Sequence, residues 1–310
     1  MKILVVGAGA IGGYFGARLL QAQRDVTFLV RPQRAALLAA HGLRVESPMG
    51  DVHIAAPPTV TAGAVGDDWD AVILSCKAYD LDAAIDDIAP AMTGGACVLP
   101  LLNGMRHVDR LEQRFGANAV LGGQCVISTT LKEDGTILHL NMVHSLTFGE
   151  RDGRATERMT RLTQALSGAG FDAFASPSIM QAMWEKWVTL ATMAGATSLM
   201  RAPLGAINRA AGGRDFILGL LDEVRGVATA AGYAPRPEFL DETRAFLTNP
   251  DAPQTSSMFR DIEQGARIEA DHIVGDLVQR AQAASVAHAR LTAVYTHLKA
   301  YEERRSAGWG

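Results

Sequence analysis

The sequence predicts an α/β fold: an N-terminal domain built on a parallel sheet, residues 1–176, followed by an all-helical C-terminal domain, residues 177–310. Three observations predict it. A glycine-rich turn, Gly7-Ala8-Gly9-Ala10-Ile11-Gly12, directly follows the apolar run Lys2-Ile3-Leu4-Val5-Val6. Strand and helix signals then alternate as far as Ala175, the pattern of βαβ units. Beyond Pro177 only helical stretches remain, as far as Glu303.

The elements are expected in this order. A first strand covers Lys2–Val6 and a helix runs from about Ile11 to Gln23. A second strand covers Asp25–Val30 and a helix follows over Gln33–His41. The segments 43–46 and 52–54 pattern as a small hairpin around Pro48-Met49-Gly50. Short buried strands are expected at Ala71–Leu74 and Cys97–Leu102, with a helix at Leu81–Met92 between them. Three more strands are expected at 120–128, 136–140 and 145–149, then a helix over Ala155–Ser167. Asp172–Ala175 is expected to close the sheet. Breaks in the helical domain fall at Pro203, Gly212-Gly213, Pro235-Arg236-Pro237 and Asn249-Pro250. The tail from Arg304 to Gly310 reads as loose.

Each glycine of the first turn has a physical task in a Rossmann-type domain. Gly7 permits the tight turn, Gly9 lets backbone approach a pyrophosphate, and Gly12 lets the helix lie against the sheet. The amides of Ala10, Ile11 and Gly12 then begin a helix whose N-terminus favours phosphate. An NAD site usually carries Asp or Glu at the end of the second strand. Here Arg31 stands there, with Arg34 just beyond. A cation suits a 2′-phosphate, so the expected cofactor is NADP(H).

Composition sets bounds. Net charge is −4 over 310 residues, without a basic block, so nucleic acid and anionic membrane surfaces are not expected partners. Cys76, Cys97 and Cys125 are an odd number without metal spacing and read as reduced thiols; no metal is expected. The apolar start, Ile3 to Ala17, holds five glycines, which a strand–turn–helix explains and a signal peptide does not. No segment is long and apolar enough to span a bilayer, and the cytoplasm is the expected location. The apolar helical faces leave a homodimer open.

Ligands of open α/β sheets lie at the carboxyl ends of the strands. That rule selects the glycine turn, Ser75-Cys76-Lys77 and Asn103-Gly104. Lys77 reads equally as a solvated loop lysine, and Asn103-Gly104 equally as a plain turn. In the helical domain Lys186 lies between Trp184 and Trp187, with Leu190 and Ala194 following on its face at i+4 and i+8. A lysine there either snorkels to water or works on a ligand. Ser256-Ser257-Met258 is the second spot, and Glu269 follows Ser257 by twelve residues.

Taken together, these pieces resemble the ketopantoate reductases (2-dehydropantoate 2-reductases), over Met1 to about Arg305. The resemblance rests on the glycine motif, Cys76-Lys77-Ala78, Leu102-Asn103-Gly104-Met105, Trp184-Glu185-Lys186, Ser256-Ser257-Met258 and Glu269-Ala270-Asp271. It implies NADPH-dependent reduction of a 2-oxo acid to a 2-hydroxy acid, 2-dehydropantoate to pantoate in pantothenate biosynthesis or a paralogue's related substrate. It implies that Lys186 protonates the developing alkoxide and that Glu269 binds substrate and orients the lysine. Asn103 then lies near the reacting carbonyl and the cofactor, Ser257 binds substrate, Lys77 stands on the cofactor side and Arg31 takes the 2′-phosphate. Glu223 also falls on a family motif, without an assigned role. A lysine ammonium, with a reference pKa of about 10.4, can both stabilise negative charge and supply a proton.

The chain departs from the pattern at two positions. The best-known members carry asparagine four and eight residues after the lysine, where this chain has Leu190 and Ala194. A substrate-binding face with those side chains offers contact without hydrogen bonds. Two other readings stand beside the first. A β-hydroxyacid dehydrogenase usually has asparagine where Leu190 stands. An NADP sensor without turnover has no need of Lys186, Asn103 and Glu269 together.

Overall fold

The computed structural model describes residues 1–308. The chain divides into two units: Met1–Leu102 with His107–Ile179, and Asn103–Arg106 with the chain from Met180 onward.

The first unit contains, in order, β1 (Lys2–Val6), α1 (Ala10–Gln21), β2 (Asp25–Leu29), α2 (Pro32–His41), β3 (Leu43–Glu46), β4 (Val52–Ile54), β5 (Thr59–Val60), β6 (Ala71–Leu74), α3 (Leu81–Thr93), β7 (Cys97–Pro100), α4 (Arg106–Phe115), β8 (Gly122–Leu131), β9 (Ile137–Gly149), α5 (Glu157–Leu166) and β10 (Asp172–Ala175). Five strands form a parallel sheet in the order β5-β2-β1-β6-β7. The winding reverses between β1 and β6, so the switch point of this doubly wound sheet lies at their carboxyl ends. Ile3–Val6 and Ala71–Leu74 are buried throughout, which is why they read as unbroken apolar runs rather than alternating ones.

A second sheet has the order β10-β9-β3-β4, with β8 antiparallel along β9. The 43–46 and 52–54 hairpin forms as expected, but its β3 also pairs with β9. Two expectations are corrected here. The segments 136–140 and 145–149 are one continuous strand, and β10 adds to this second sheet rather than closing the first. Residues 141–144 read as a break because the strand bulges there. Ile127 pairs with His144 and Thr129 with His139, so β9 carries extra residues there. The outward-facing Leu140, Met142 and Val143 disrupt the period of two. His139 Nε2 lies 3.1 Å from Asn141 Oδ1 and 3.2 Å from the Val143 carbonyl, which holds the bulge closed.

Helix α1 lies against both sheets. A Cβ on Gly16 would meet the Phe28 ring of β2 at 2.4 Å, and one on Gly13 would meet Ile137 of β9 at 2.4 Å. Its residues Gly12–Leu19 are all buried, which explains the small residues on every face. Tyr14, Phe15, Phe28, Phe148 and Phe171 fill the core around it.

The second unit is helical: α6 (Ile179–Met200), α7 (Leu204–Arg209), α8 (Gly213–Ala230), α9 (Pro237–Leu247), α10 (Ser257–Glu263), α11 (Asp276–Ala283) and α12 (Ala289–Ser306), with a π-helical turn at Asp271–Gly275 running into α11. No strand occurs in it among the described residues. The expected loose tail is corrected: Arg304–Ser306 are the last turn of α12, while Trp309 and Gly310 lie outside the described residues. No helix among the described residues is long and apolar enough to cross a membrane.

Buried carboxylates stitch this unit together. Glu185 is buried and accepts from the Arg236 backbone N–H (2.9 Å), from Arg236 Nε (2.9 Å) and from Gln181 (3.1 Å). Burial pushes its carboxyl up, but these donors outweigh burial and hold it below the ordinary carboxylate value. Glu223, for which the sequence suggested no role, caps a helix. It accepts from the backbone N–H of Leu291 (2.9 Å) and Arg290 (3.1 Å), in the first turn of α12.

Candidate active site

The glycine turn sits at the switch point of the first sheet. Gly7 has φ +91°, a conformation that disfavours any side chain. A Cβ on Gly12 would lie 2.1 Å from Ser75 Oγ and 2.3 Å from the Gly7 carbonyl oxygen. Ser75 itself donates to the Val6 carbonyl at 2.7 Å, tying the carboxyl ends of β1 and β6 together. Over Gly9 the situation is the reverse: an added Cβ would meet no heavy atom within 4 Å. Gly9 precedes α1 without a side-chain cap, and the first turn of α1 carries no acid. Open space at Gly9 before an uncapped helix start fits a dinucleotide pyrophosphate.

The two arginines differ. Arg31 follows β2 and directly precedes α2, is 74% exposed, and pairs with Asp80 at 2.8 Å. Arg34 donates from Nε (3.1 Å) and Nη2 (2.8 Å) to the Ala8 carbonyl, and from Nη2 to the Gly135 carbonyl (3.1 Å). Arg34 therefore braces the glycine turn, whereas the Arg31 side chain stays largely at the surface. Lys77 is exposed just beyond β6.

Three of the predicted catalytic segments meet at the π-helical turn of the second unit. The turn is defined by the Asp276 N–H reaching the Asp271 carbonyl, and it follows Glu269, whose carbonyl accepts from Ile273 N–H at 3.0 Å. Trp187, adjacent to Lys186, is buried and donates its indole N–H to the Ile273 carbonyl at 3.0 Å. Gly104, adjacent to Asn103, has φ +82° and backs directly onto His272: a Cβ there would stand 2.8 Å from the His272 carbonyl oxygen and 3.1 Å from its ring. Asn103-Gly104 is thus a packed turn, not a solvated one. Asn103, Lys186 and Glu269 themselves are half-buried. π turns recur at functional sites because they widen a helix locally and redirect its side chains.

Leu190 is half-buried one turn after Lys186, but Ala194 is 1% exposed. The partly exposed stretch of the predicted face therefore ends at Leu190. Ser257 is exposed at the start of α10. Its neighbour Ser256 is the buried one; it caps α10 by accepting from Phe259 N–H (3.0 Å) and meets Thr197 of α6 at 3.0 Å.

His272 carries a testable consequence. Burial, then the charges of Arg106 and Arg280, push its pKa down to about 4. The folded value lies below the unfolded one, so its stability contribution is full above about pH 6.5 and falls away as pH drops toward 4. The protein is expected to lose about 3 kcal/mol over that window from this residue. Urea unfolding at pH 7 and pH 4.5 checks it: His272→Leu should flatten the pH dependence, and an unchanged dependence would remove His272 as its source.

Comparisons with known proteins match this architecture. The family model described as ketopantoate reductase PanE/ApbA matches residues 3–153, and its C-terminal counterpart matches residues 178–302. The chain belongs to the ketopantoate reductase family. It is 38% identical to an uncharacterized oxidoreductase, YkpB, of Bacillus subtilis (strain 168), over 98% of this chain and 100% of that one. It is 28% identical to a 2-dehydropantoate 2-reductase of Halobacterium salinarum, over 91% of this chain and 92% of that one. Among solved structures, a ketopantoate reductase family protein from Ralstonia eutropha JMP134 superposes with TM-score 0.88 at 25% identity, covering 99% of this chain and 100% of the other. A D-mandelate dehydrogenase with NADH and anilino(oxo)acetate shares the fold, with TM-score 0.86 at 22% identity, covering 99% and 100%. As a ketopantoate reductase family member, the chain is an oxidoreductase of the class that reduces 2-oxo acids.

Proposed function

We propose that this ketopantoate reductase family member uses NADPH to reduce a 2-oxo acid to its 2-hydroxy acid, the substrate being 2-dehydropantoate or a related acid with less polar substituents. The observation that carries the reading is the meeting of the Asn103, Lys186 and Glu269 segments at one π turn. A chain that only sensed a dinucleotide would have no need of this arrangement. In this reading residues 1–176 hold the dinucleotide, and residues 177–310 with the Asn103 turn act on the substrate in the cytoplasm.

The cofactor, when bound, supplies a hydride to the substrate's carbonyl carbon. The backbone at Gly7, Gly9, Ala10, Ile11 and Gly12 would hold its pyrophosphate, with Arg31 at the 2′-phosphate and Lys77 on the cofactor side. Negative charge grows on the carbonyl oxygen as the carbon is reduced. Lys186 stabilises that charge and donates the proton that completes the hydroxyl. Glu269 holds the ammonium of Lys186 in position and accepts from substrate. Asn103 donates to the carbonyl region, and Ser257 binds the distal part of the acid. Assay of NADPH oxidation against a panel of 2-oxo acids tests the reading.

Leu190 favours the less polar end of the substrate range. An amide lost from a site that must hold hydroxyl groups is worth about 1–3 kcal/mol. Leu190→Asn is therefore expected to shift the ratio of kcat/KM toward 2-dehydropantoate, relative to an apolar 2-oxo acid, by roughly tenfold or more. An unaltered ratio would show that Leu190 does not face the substrate.

A further inference from the structure

We propose that Asp80 tunes the choice between NADPH and NADH by engaging Arg31 in competition with the 2′-phosphate. The inference rests on the reading of Arg31 given above and adds a second residue to it. Arg31 follows β2, and Asp80 closes the helical turn Ala78–Asp80 that follows β6. These two strands flank β1, so the pair joins the two loops on either side of the glycine turn. Asp80 occupies the residue before α3, where an aspartate ordinarily caps the helix. Its side chain makes no such cap and is turned to Arg31 instead, at 2.8 Å.

Charge explains the consequence. A 2′-phosphate at Arg31 must share the guanidinium with a carboxylate already on it. A second acid, Asp87, adds to the negative field at Arg31. Asp82 is taken up by Arg110 at 2.8 Å. One like charge at this range in a largely solvated site weakens a dianion's binding by about tenfold. NADH meets the opposite situation. Its ribose 2′-hydroxyl can donate to a carboxylate, the recognition that acidic residues provide at NAD sites. Asp80 therefore lowers the preference for NADPH from both sides and leaves NADH usable.

Binding titrations that follow cofactor fluorescence, on the unmodified protein, Asp80→Asn, Arg31→Ala and the double variant, test this. Asp80→Asn keeps the size of the side chain and removes only the charge. It is expected to tighten NADPH about tenfold and to leave NADH unchanged or weaker. That gain should vanish in the Arg31→Ala background. If Asp80→Asn leaves the NADPH-to-NADH affinity ratio within about twofold, or lowers it, while Arg31→Ala still weakens NADPH, the role of Asp80 is overturned and that of Arg31 stands. If Arg31→Ala leaves NADPH binding intact, the reading of Arg31 falls and the inference falls with it.

Discussion

Lys186→Ala is expected to lower kcat by about 10²–10⁴-fold, the usual contribution of a positioned general acid. NADPH affinity should change little. The reason is the timing of charge: the lysine meets negative charge that exists only as the carbonyl is reduced. The loss should therefore appear in kcat and in kcat/KM together, not in KM alone. The protein should stay folded. Lys186 is half-buried, whereas its neighbours Glu185 and Trp187 carry the packing and ion pairing of α6. Steady-state kinetics with a 2-oxo acid that turns over decides it. Wild-type turnover in the variant would make Lys186 a surface lysine and remove the proposed chemistry.

The second large effect is expected from Gly12→Ala. The added methyl would lie 2.1 Å from Ser75 Oγ, 2.3 Å from the Gly7 carbonyl oxygen and 3.1 Å from Val5 Cγ1. Ser75 is held by the Val6 carbonyl, and the Gly7 oxygen is backbone in a turn at φ +91°. Neither can yield without opening the join between α1 and the sheet. Overpacking of this kind costs about 1–3 kcal/mol or more, and the turn is the dinucleotide site itself. NADPH affinity should fall at least about a hundredfold, with a lowered melting temperature, and Gly9→Ala should leave the melting temperature unchanged because its Cβ meets nothing within 4 Å. A Gly12→Ala protein that binds NADPH normally would contradict this geometry.

The first half of the site was legible because its constraints are local. A strand, three glycines at fixed spacing and a helix specify one another within a dozen residues, and the cation at Arg31 follows from the next strand end. What could not be read was set by partners far along the chain. Glu223 caps a helix that begins some 66 residues later, and Glu185 anchors Arg236 across 51 residues. No periodicity encodes either. The π turn was invisible for another reason: one wider turn shifts hydrogen bonds by a single residue and leaves composition unchanged. Helical spacing alone assigned Ala194 to the face of Lys186. Spacing gives direction only, and the packing around Ala194 decided its burial. The bulge at 140–143 hid a single long strand behind an apparent break, since the alternation of burial resumes at His144 out of phase. Arg34 looked like a second phosphate ligand because it lies three residues beyond Arg31; the carbonyls of Ala8 and Gly135 claim it in the fold.

The central claim is that this chain transfers hydride from NADPH to the carbonyl carbon of a 2-oxo acid. NADPH deuterated at its transferable position, incubated with the protein and a panel of 2-oxo acids that includes 2-dehydropantoate, tests it directly by mass spectrometry of the products. The expected result is a 2-hydroxy acid carrying one deuterium on carbon, formed in equal amount to the NADPH consumed and abolished by Lys186→Ala. NADPH that binds but is never consumed with any 2-oxo acid, or a product without deuterium, would contradict the account.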